Sequence, residues 1–276
     1  YLLVIGYQPT VTYLYENVGG TWEKQDTTLR GGWACTIGKG NVMITADNGG
    51  RAALYSSAHY EYAATANAQH HTANHTAPGD NFGVAVASDG AGMAFIGATN
   101  EAGTGAVLVY TVDGSNGAYE HVGALAPPTL DAGSQFGAAI AACPGLVVAT
   151  APGGTGTAYF FASSAAGPDE QYGFVSSVAG TGSSYGYSVA IASDGASAHV
   201  AVVGTDRSNG AAYVYAADGG IPTSSWSLVF TASGGGYWFG RGVAASCSIT
   251  PATSSSKVAC LTGQACPPSA TPPMKR

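Results

Sequence analysis

Three histidines cluster within six residues, at His70, His71 and His75. Imidazole nitrogens bind a transition metal when they converge on one ion. On an extended strand His71 and His75 share a face but lie four residues apart, which is too far for both to chelate one ion without a turn. We therefore expect this segment to be a solvated loop or an outer strand, and we predict no metal site and no cofactor.

The chain contains little that predicts catalysis. No Gly-x-Ser-x-Gly elbow stands at a strand-to-helix turn, and no glycine loop opens a helix where a phosphate could bind. The paired acids Asp169 and Glu170 lie in a Gly- and Pro-flanked segment that is typical of a solvated turn. His199 lies inside an apolar run, which favours a core histidine. We predict no catalytic residues and no enzyme.

Covalent chemistry is indicated at two places. Asn74-His75-Thr76 is an N-glycosylation sequon in a predicted loop. Cys247 and Cys260 flank the turn of a predicted final hairpin, and a disulfide between them is one possible pairing, with Cys260 to Cys266 as its rival. Because the chain has five cysteines, one thiol is left for a segment or partner outside it. Cys35 and Cys143, in predicted first strands, are interpreted as small buried thiols.

Aromatic side chains could bind a carbohydrate by stacking on sugar faces beside polar neighbours. The candidates are Tyr60, Tyr62, Trp226, Tyr237 and Trp238. The competing interpretation is that such aromatics pack between sheets. The residues Trp22, Tyr119, Tyr172 and Trp226 have unlike sequence neighbours, whereas a repeated sugar site would place them in similar ones. This difference favours packing.

The elements that position these residues recur at a spacing near fifty. Apolar strands end at the aromatic residues Tyr15, Tyr55, Tyr110, Phe161 and Tyr215. Aromatic-Gly pairs begin at positions 82, 136, 185 and 239, which are 54, 49 and 54 residues apart, and Gly31-Gly32-Trp33 replaces the pair one unit earlier. The first three pairs precede the strands that end at Tyr110, Phe161 and Tyr215. A period of this length, built from short strands, is typical of a β-propeller.

Each unit contains four predicted strands. A small-residue first strand follows the aromatic-Gly pair, and then come an apolar second strand, a Gly-led third strand with the aromatic end, and a polar, variable fourth strand. No helical period occurs, so the pattern predicts an all-β chain of four-stranded antiparallel blades.

These landmarks resemble the FG-GAP repeats of integrin α-subunit propellers. The resemblance covers residues 1–265 and includes the Phe-Gly starts at Phe82, Phe136 and Phe239 and the Gly-Ala-Pro-like ends at 96–98 and 149–152. It implies the propeller fold firmly and a role only loosely. Family units often carry a calcium loop with alternate carboxylates. The loops here hold one acid each, at Asp89 and Asp194, so we predict no calcium site of that kind.

The blade count follows from the two ends of the chain. Residues 1–6 match a second strand, and residues 239–246 match a first strand, so strands from both ends would complete one blade and close a ring of five. Residues 257–263 form an additional strand pattern, which packs outside this ring or marks the chain as a section of a larger one. We expect a propeller over 1–265 and a Pro/Ser/Thr-rich, linker-like tail over 266–276.

Composition limits the function classes. Only 9 Lys+Arg and 16 Asp+Glu occur among 276 residues, with 41 glycines and a formal net charge of -7. Nucleic-acid binding requires a basic face, which is lacking, and no apolar run approaches the ~20 residues of a membrane span. Residues 1–6 do not resemble a secretion signal. The sequon, the cysteines and the tail together favour a secreted or cell-surface protein.

Two functional hypotheses remain. The first is an extracellular structural or adhesion module that contacts other extracellular chains or copies of itself, as a subunit of a surface glycoprotein assembly or filament. The second is a carbohydrate-binding propeller whose partner is a glycan. The low charge, the unpaired cysteine and the variable fourth strands favour the first hypothesis.

Overall fold

The computed structural model is all-β in the residues that it describes. These are residues 2–6, 11–30, 34–37, 43–47, 51–55, 71–74, 81–90, 92–112, 119–164, 171–180, 184–193, 198–206, 210–219, 225–234 and 239–245. Across these ranges the one helical element is a 3₁₀ turn at Glu101–Gly103. The predicted all-β class with four-stranded antiparallel sheets is confirmed.

The described strands form five antiparallel sheets, which we number in chain order. Sheet 1 contains β1 (Leu2–Gly6), β2 (Val11–Val18) and β3 (Thr21–Arg30). Sheet 2 contains β4 (Ala34–Ile37), β5 (Met43–Asp47), β6 (Arg51–Tyr55) and β7 (His71–Asn74). Sheet 3 contains β8 (Phe82–Ser88), β9 (Met93–Ala98), β10 (Ala106–Val112) and β11 (Tyr119–Ala124). Sheet 4 contains β12 (Ile140–Cys143), β13 (Leu146–Ala151), β14 (Thr157–Ser163) and β15 (Tyr172–Ala179). Sheet 5 contains β16 (Ser188–Ser193), β17 (Ala198–Gly204), β18 (Ala211–Asp218) and β19 (Ser227–Ser233).

Every strand pairs with its sequence neighbour, so each sheet is a simple meander. The five aromatic-ended strands predicted from the sequence are β2, β6, β10, β14 and β18, which are the third strands of their units. Sheet 1 begins with a strand equivalent to the second strand of the other sheets, as predicted, and contains three strands in the described part of the chain.

The sheets contact one another in chain order through their first strands. β4 contacts β8, β8 contacts β12, and β12 contacts β16. One apolar core joins sheets 3 and 4 around Phe95, Phe136 and Phe161, and another joins sheets 4 and 5 around Phe160 and Tyr185. Sheets 3, 4 and 5 therefore bury apolar surface against one another.

Burial across a sheet explains the sequence pattern of its strands. Every residue of β9 and β13 is buried, because these second strands are covered on both faces, and a continuous apolar run suits that position. The fourth strands β15 and β19 have no buried residue and carry more polar residues. The strand order within a unit thus determines how apolar each run is.

The aromatic-Gly pair that opens a unit packs on the preceding sheet. The Phe136 backbone N–H donates to the Thr104 carbonyl at 2.9 Å, and a Cβ placed on Gly105 would collide with the Phe136 backbone. Tyr185 lies in the same way against Gly156, and Phe239 against Gly210. This docking explains why β12 begins at Ile140 and β16 at Ser188, later than the predicted starts near 136 and 185.

The glycine of the aromatic-Gly pair packs against the end of the second strand of the preceding sheet. Gly97 contacts Gly137 so closely that neither has room for a side chain toward the other. In sheet 4 the equivalent residue is Thr150, whose hydroxyl donates to the Gly186 carbonyl at 2.6 Å. Small residues at these two landmarks therefore allow the backbones of adjacent sheets to approach each other.

A β-bulge recurs between the third and fourth strands. The register shifts between Val109 and Tyr110, between Phe160 and Phe161, and between Val214 and Tyr215. The unpaired residue on the outer strand is a valine each time, at Val122, Val175 and Val229. The bulged residues therefore identify equivalent positions on the outer strands, although the sequences of these strands show no obvious correspondence.

Candidate interaction surface

Trp226 is the one member of the predicted sugar-stacking set that lies among the described residues, and it is only 8% exposed. Its indole stacks on Phe160 of the preceding sheet, with ring centroids 4.3 Å apart and an interplanar angle of 18°. It therefore belongs to the core between sheets 4 and 5 and presents no face to a sugar. The prediction that Trp226 faces a ligand is therefore wrong. The indole packs on another aromatic ring because this contact removes its large apolar surface from water.

The other candidates lie outside the described residues. These are Tyr60, Tyr62, Tyr237, Trp238, Cys247, Cys260 and the tail 266–276. The sequon residue Asn74 ends β7, where its backbone pairs opposite Arg51, so it closes an outer strand instead of lying in the predicted loop. His71 begins that same strand, consistent with its interpretation as an outer-strand residue.

The strand pairing places four aromatic residues at the same position in their sheets: Trp22, Tyr119, Tyr172 and Trp226. Each lies two residues before the residue that pairs with the aromatic residue of the third strand. Their environments differ. Tyr172 meets Phe95 of the preceding sheet edge-on at 5.1 Å, whereas Trp226 stacks flat on Phe160. Trp22 is 50% exposed. Sequence comparison missed this equivalence because the landmark is a bulge, which leaves no fixed residue type.

His199 confirms the prediction of a core histidine. It is almost fully buried, with Nδ1 2.8 Å from the Ser193 hydroxyl and Nε2 3.0 Å from the Gly219 carbonyl. Both ring nitrogens are thus used within sheet 5, so the ring acts as a structural tie between a strand and a turn.

Both described cysteines lie in first strands, as expected from the sequence, and neither forms a disulfide in the structure. Cys143 is buried and Cys35 is partly buried. Burial raises the pKa of the Cys35 thiol to about 11, because the thiolate would lose its hydration. A thiol in this state is a poor nucleophile and metal ligand.

The single acid of the β8–β9 turn is already engaged. One oxygen of the buried Asp89 carboxylate accepts hydrogen bonds from the Gly92 and Met93 backbone N–H groups, at 3.2 and 3.0 Å. The other accepts from the Tyr172 hydroxyl of the next sheet at 2.9 Å. The carboxylate therefore closes the turn and links sheets 3 and 4.

A small polar cleft of about 110 Å³ lies between the segment before β12 and the β13–β14 turn. Asp131, Ser134, Thr157 and Tyr159 are among its lining residues. The Ser134 hydroxyl donates to the Thr104 carbonyl at 2.8 Å, which ties the segment to sheet 3. The cleft has room for a few waters at about 30 Å³ each, whereas organic ligands usually occupy about 300–1,000 Å³.

A Gly-x-Ser-x-Gly sequence does occur at 182–186, and its Ser184 has a backbone φ of 65°. A left-handed serine is a feature of hydrolase elbows, where it precedes a helix. Here the chain continues into the strand β16, and Asn81 and Gln135 share the conformation at the equivalent point of other units, with φ values of 53° and 58°. The conformation belongs to the repeat and does not indicate a nucleophile.

Large apolar side chains are exposed on the outer strands. Leu228, Val229 and Phe230 follow one another on β19, and each is more than half exposed. Leu228 pairs with Tyr215, whose side chain faces sheet 4, while Phe230 pairs with Val214 on the opposite face. This strand is the most apolar exposed segment in the described residues and is the candidate interaction surface.

The described residues hold no cluster of three or more His, Cys, Asp or Glu side chains placed to bind a metal ion. No helix among them has the length and apolar character needed to span a bilayer. No protein-family model matches this chain, and no curated protein sequence matches it significantly.

Proposed function

We propose that the five sheets are the blades of a β-propeller built from FG-GAP-like repeats. The sequential contacts of β4, β8, β12 and β16 support this arrangement, since first strands of propeller blades lie together around the axis. The repeated docking of Phe136, Tyr185 and Phe239 on the preceding sheet supports it further, because each step along the array uses the same contact.

The wheel closes where sheet 5 meets sheet 1. Phe239 and Gly240 pack on sheet 5 as Phe136 and Gly137 pack on sheet 3. The residues that follow provide the first strand of sheet 1, which is not among the three strands that the structure describes there. Trp226 of sheet 5 covers Phe160 of sheet 4. The residue of sheet 5 that is equivalent to Phe160 is Val214. Val214 pairs with Phe230, which is 60% exposed. Trp22 holds the position of Trp226 on sheet 1. Closure brings Trp22 onto Val214 and Phe230.

A double-mutant cycle tests this closure. Trp22→Ala and Phe230→Ala should each destabilise the protein, and their combined effect should fall short of the sum by at least about 0.5 kcal/mol, because contacting residues couple. The control pair is Trp22→Ala with Phe174→Ala, an exposed aromatic of sheet 4, and it should be additive. Additivity in both pairs would show that sheets 1 and 5 do not meet through these side chains.

The wheel functions as an extracellular structural or adhesion module that acts through contacts with other protein chains or copies of itself. The observation that carries this proposal is the exposure of Leu228 and Val229 on β19, which closure does not cover and which suits protein contacts, on a chain with few charged residues. The sequon residue Asn74 ends the outer strand β7, and the sequon supports an exported, glycosylated chain. The burial of Trp226 weakens the carbohydrate-binding alternative.

Expression through a secretory host tests the compartment and the partner class together. We expect export and a mass decrease on glycosidase treatment that Asn74→Gln abolishes. The exported protein should remain silent on a glycan array and should bind immobilised extracellular proteins or its own copies. Retention without a glycan would contradict the extracellular assignment, and saturable micromolar binding to one glycan would favour the carbohydrate-binding alternative.

A further inference from the structure

The segment that leads into sheet 4, residues 125–135, is longer than its equivalents, and we call it the entry segment. Eleven residues separate the end of β11 from Phe136 (136 − 124 − 1), whereas five separate β15 from Tyr185 (185 − 179 − 1) and five separate β19 from Phe239 (239 − 233 − 1). All three aromatic residues pack on the preceding sheet. The six additional residues are therefore not required to join the sheets, and loop insertions are frequent carriers of binding residues.

The entry segment forms one wall of the polar cleft of about 110 Å³. Asp131 and Ser134 of this segment line the cleft, and the opposite wall contains Thr157 and Tyr159 of β14. Asp131 is exposed, so the cleft is open to a group that arrives from solvent. The cleft is thus a product of the additional residues and of the contact between sheets 3 and 4.

Backbone hydrogen bonds hold the entry segment in place beside β14. The Gly133 N–H donates to the Gly103 carbonyl of sheet 3 at 2.8 Å, and the Gly153 N–H of the β13–β14 turn donates to the Ser134 carbonyl at 2.9 Å. The two walls are therefore fixed relative to each other before any ligand binds. A preformed site of this kind avoids the entropy cost of ordering a loop on binding.

The side chains of the cleft offer hydrogen-bond acceptors. The Ser134 hydroxyl donates to the Thr104 carbonyl at 2.8 Å, and the Tyr159 hydroxyl donates to the Thr129 carbonyl at 3.2 Å. Both protons are thus engaged outside the cleft, and the Asp131 carboxylate can only accept. Burial raises the pKa of Tyr159, and the Asp131 carboxylate raises it as well, which shows that this charge acts on the phenol. No Lys, Arg or His is among the residues that line the cleft.

We propose that the cleft binds the ε-ammonium group of a lysine on the partner protein. An ammonium group has three N–H donors, no acceptor and a compact positive charge. The Asp131 carboxylate would accept one N–H and supply the opposite charge, and the oxygens of Ser134 and Tyr159 would accept the other two. Ala132 and Ala151 also line the cleft, so their methyl groups would contact the methylenes next to the ammonium.

The number and placement of the acceptors select this ligand. A calcium ion takes six to eight oxygen ligands, usually with several carboxylates, and a magnesium ion needs near-octahedral geometry, whereas this cleft has one carboxylate. A guanidinium group presents its donors in a flat fork, whereas the acceptors here lie on two facing walls. The room for a few water-sized groups suits the end of one side chain. The inference rests on the proposed function, since it gives the chemistry of the protein partner.

An NMR titration of the full chain with the tripeptide acetyl-Gly-Lys-Gly-amide tests the site. The backbone amide signal of Gly154, which lines the cleft, should shift with a dissociation constant of about 1–30 mM, as suits one partly exposed ion pair. Asp131→Asn should weaken binding at least fivefold. Asp218→Asn is the matched control, because Asp218 is an exposed acid at the end of β18, and it should leave binding unchanged. Circular dichroism should show that both variants fold.

Changes to the peptide give a second readout that does not depend on any variant. Acetylation of the lysine ε-amine should abolish the shift, and an arginine in place of the lysine should bind at least threefold more weakly. No shift up to about 100 mM, equal binding of the acetylated peptide, or tighter binding of the arginine peptide, of calcium chloride or of the small amine putrescine would each overturn the proposal.

The failure of this inference can be distinguished from failure of the proposed function. If the lysine peptide does not bind but the exported protein still binds extracellular proteins, the inference fails and the proposed function stands. If the lysine peptide binds through Asp131 but the chain is neither exported nor bound to any protein, the proposed function fails, and the assignment of the ammonium to a protein partner fails with it.

Discussion

Gly156 provides the sharpest test of how the sheets are joined. It lies in the turn before β14 with a φ of +77°, and a Cβ built on it would come within 2.8 Å of the Tyr185 Cβ. Carbon atoms in contact normally lie about 3.5–4.0 Å apart. Gly156→Ala therefore has to move the start of the next sheet by about 1 Å.

The matched control is two residues away. Gly154 lies in the same turn with a φ of +66°, and a Cβ there would meet nothing within 4 Å. Both alanines are forced into the left-handed region, at a cost of roughly 1–2 kcal/mol, and both reduce the entropy of the unfolded chain alike. The difference between the two variants therefore isolates the contact between sheets 4 and 5.

We expect Gly156→Ala to destabilise the protein by about 1–3 kcal/mol more than Gly154→Ala, which is the usual range for overpacking. Urea unfolding followed by tryptophan fluorescence measures this difference, because Trp226 is buried between the same two sheets. With a slope near 3 kcal/mol/M, the two midpoints should differ by about 0.3–1 M. Midpoints that agree within error would refute the docking of Tyr185 against Gly156.

Three further predictions concern buried groups. The Tyr185 hydroxyl donates to the Tyr215 hydroxyl at 2.8 Å, so Tyr185→Phe and Tyr215→Phe should each cost about 1 kcal/mol, and the double variant should cost less than the sum in urea titrations. Burial raises the pKa of Tyr185 above its usual value near 10. As the pH rises, the unfolded chain therefore releases this proton before the folded protein does. The free energy of unfolding should be unaffected by this group below pH 10 and should decrease above pH 10 by up to about 1.4 kcal/mol per pH unit. The decrease should be shallower in Tyr185→Phe. With a pKa of about 11, Cys35 is only about 0.1% thiolate at pH 8, so iodoacetamide should label it over tenfold more slowly in the folded than in the urea-unfolded protein, as read by peptide mass.

The sequence predicts the strands of this protein well because their signals are local. The apolar second strand predicted in each unit is present as β9 and β13, since a strand covered on both faces needs a continuous apolar run. The aromatic-Gly pairs at 136 and 185 open their units in the sequence but lie outside β12 and β16, because they pack on the preceding sheet.

The candidate surface was less accessible to sequence reasoning. Trp226 and Trp22 are the same residue type at the same structural position, yet Trp226 is buried and Trp22 is half exposed. Nothing within a few residues of either one reports this difference. It depends on Phe160, a residue of another sheet that lies 66 positions before Trp226 (226 − 160).

By itself the sequence determined the repeat, the all-β class and the order of apolar and polar strands within a unit, because hydrophobic periodicity and small residues act over a few neighbouring positions. Only the tertiary structure decided which aromatics are covered, where the bulges align the outer strands, and that β19 remains exposed. Burial is set by the sheet that packs alongside, and that sheet comes from residues about one repeat away.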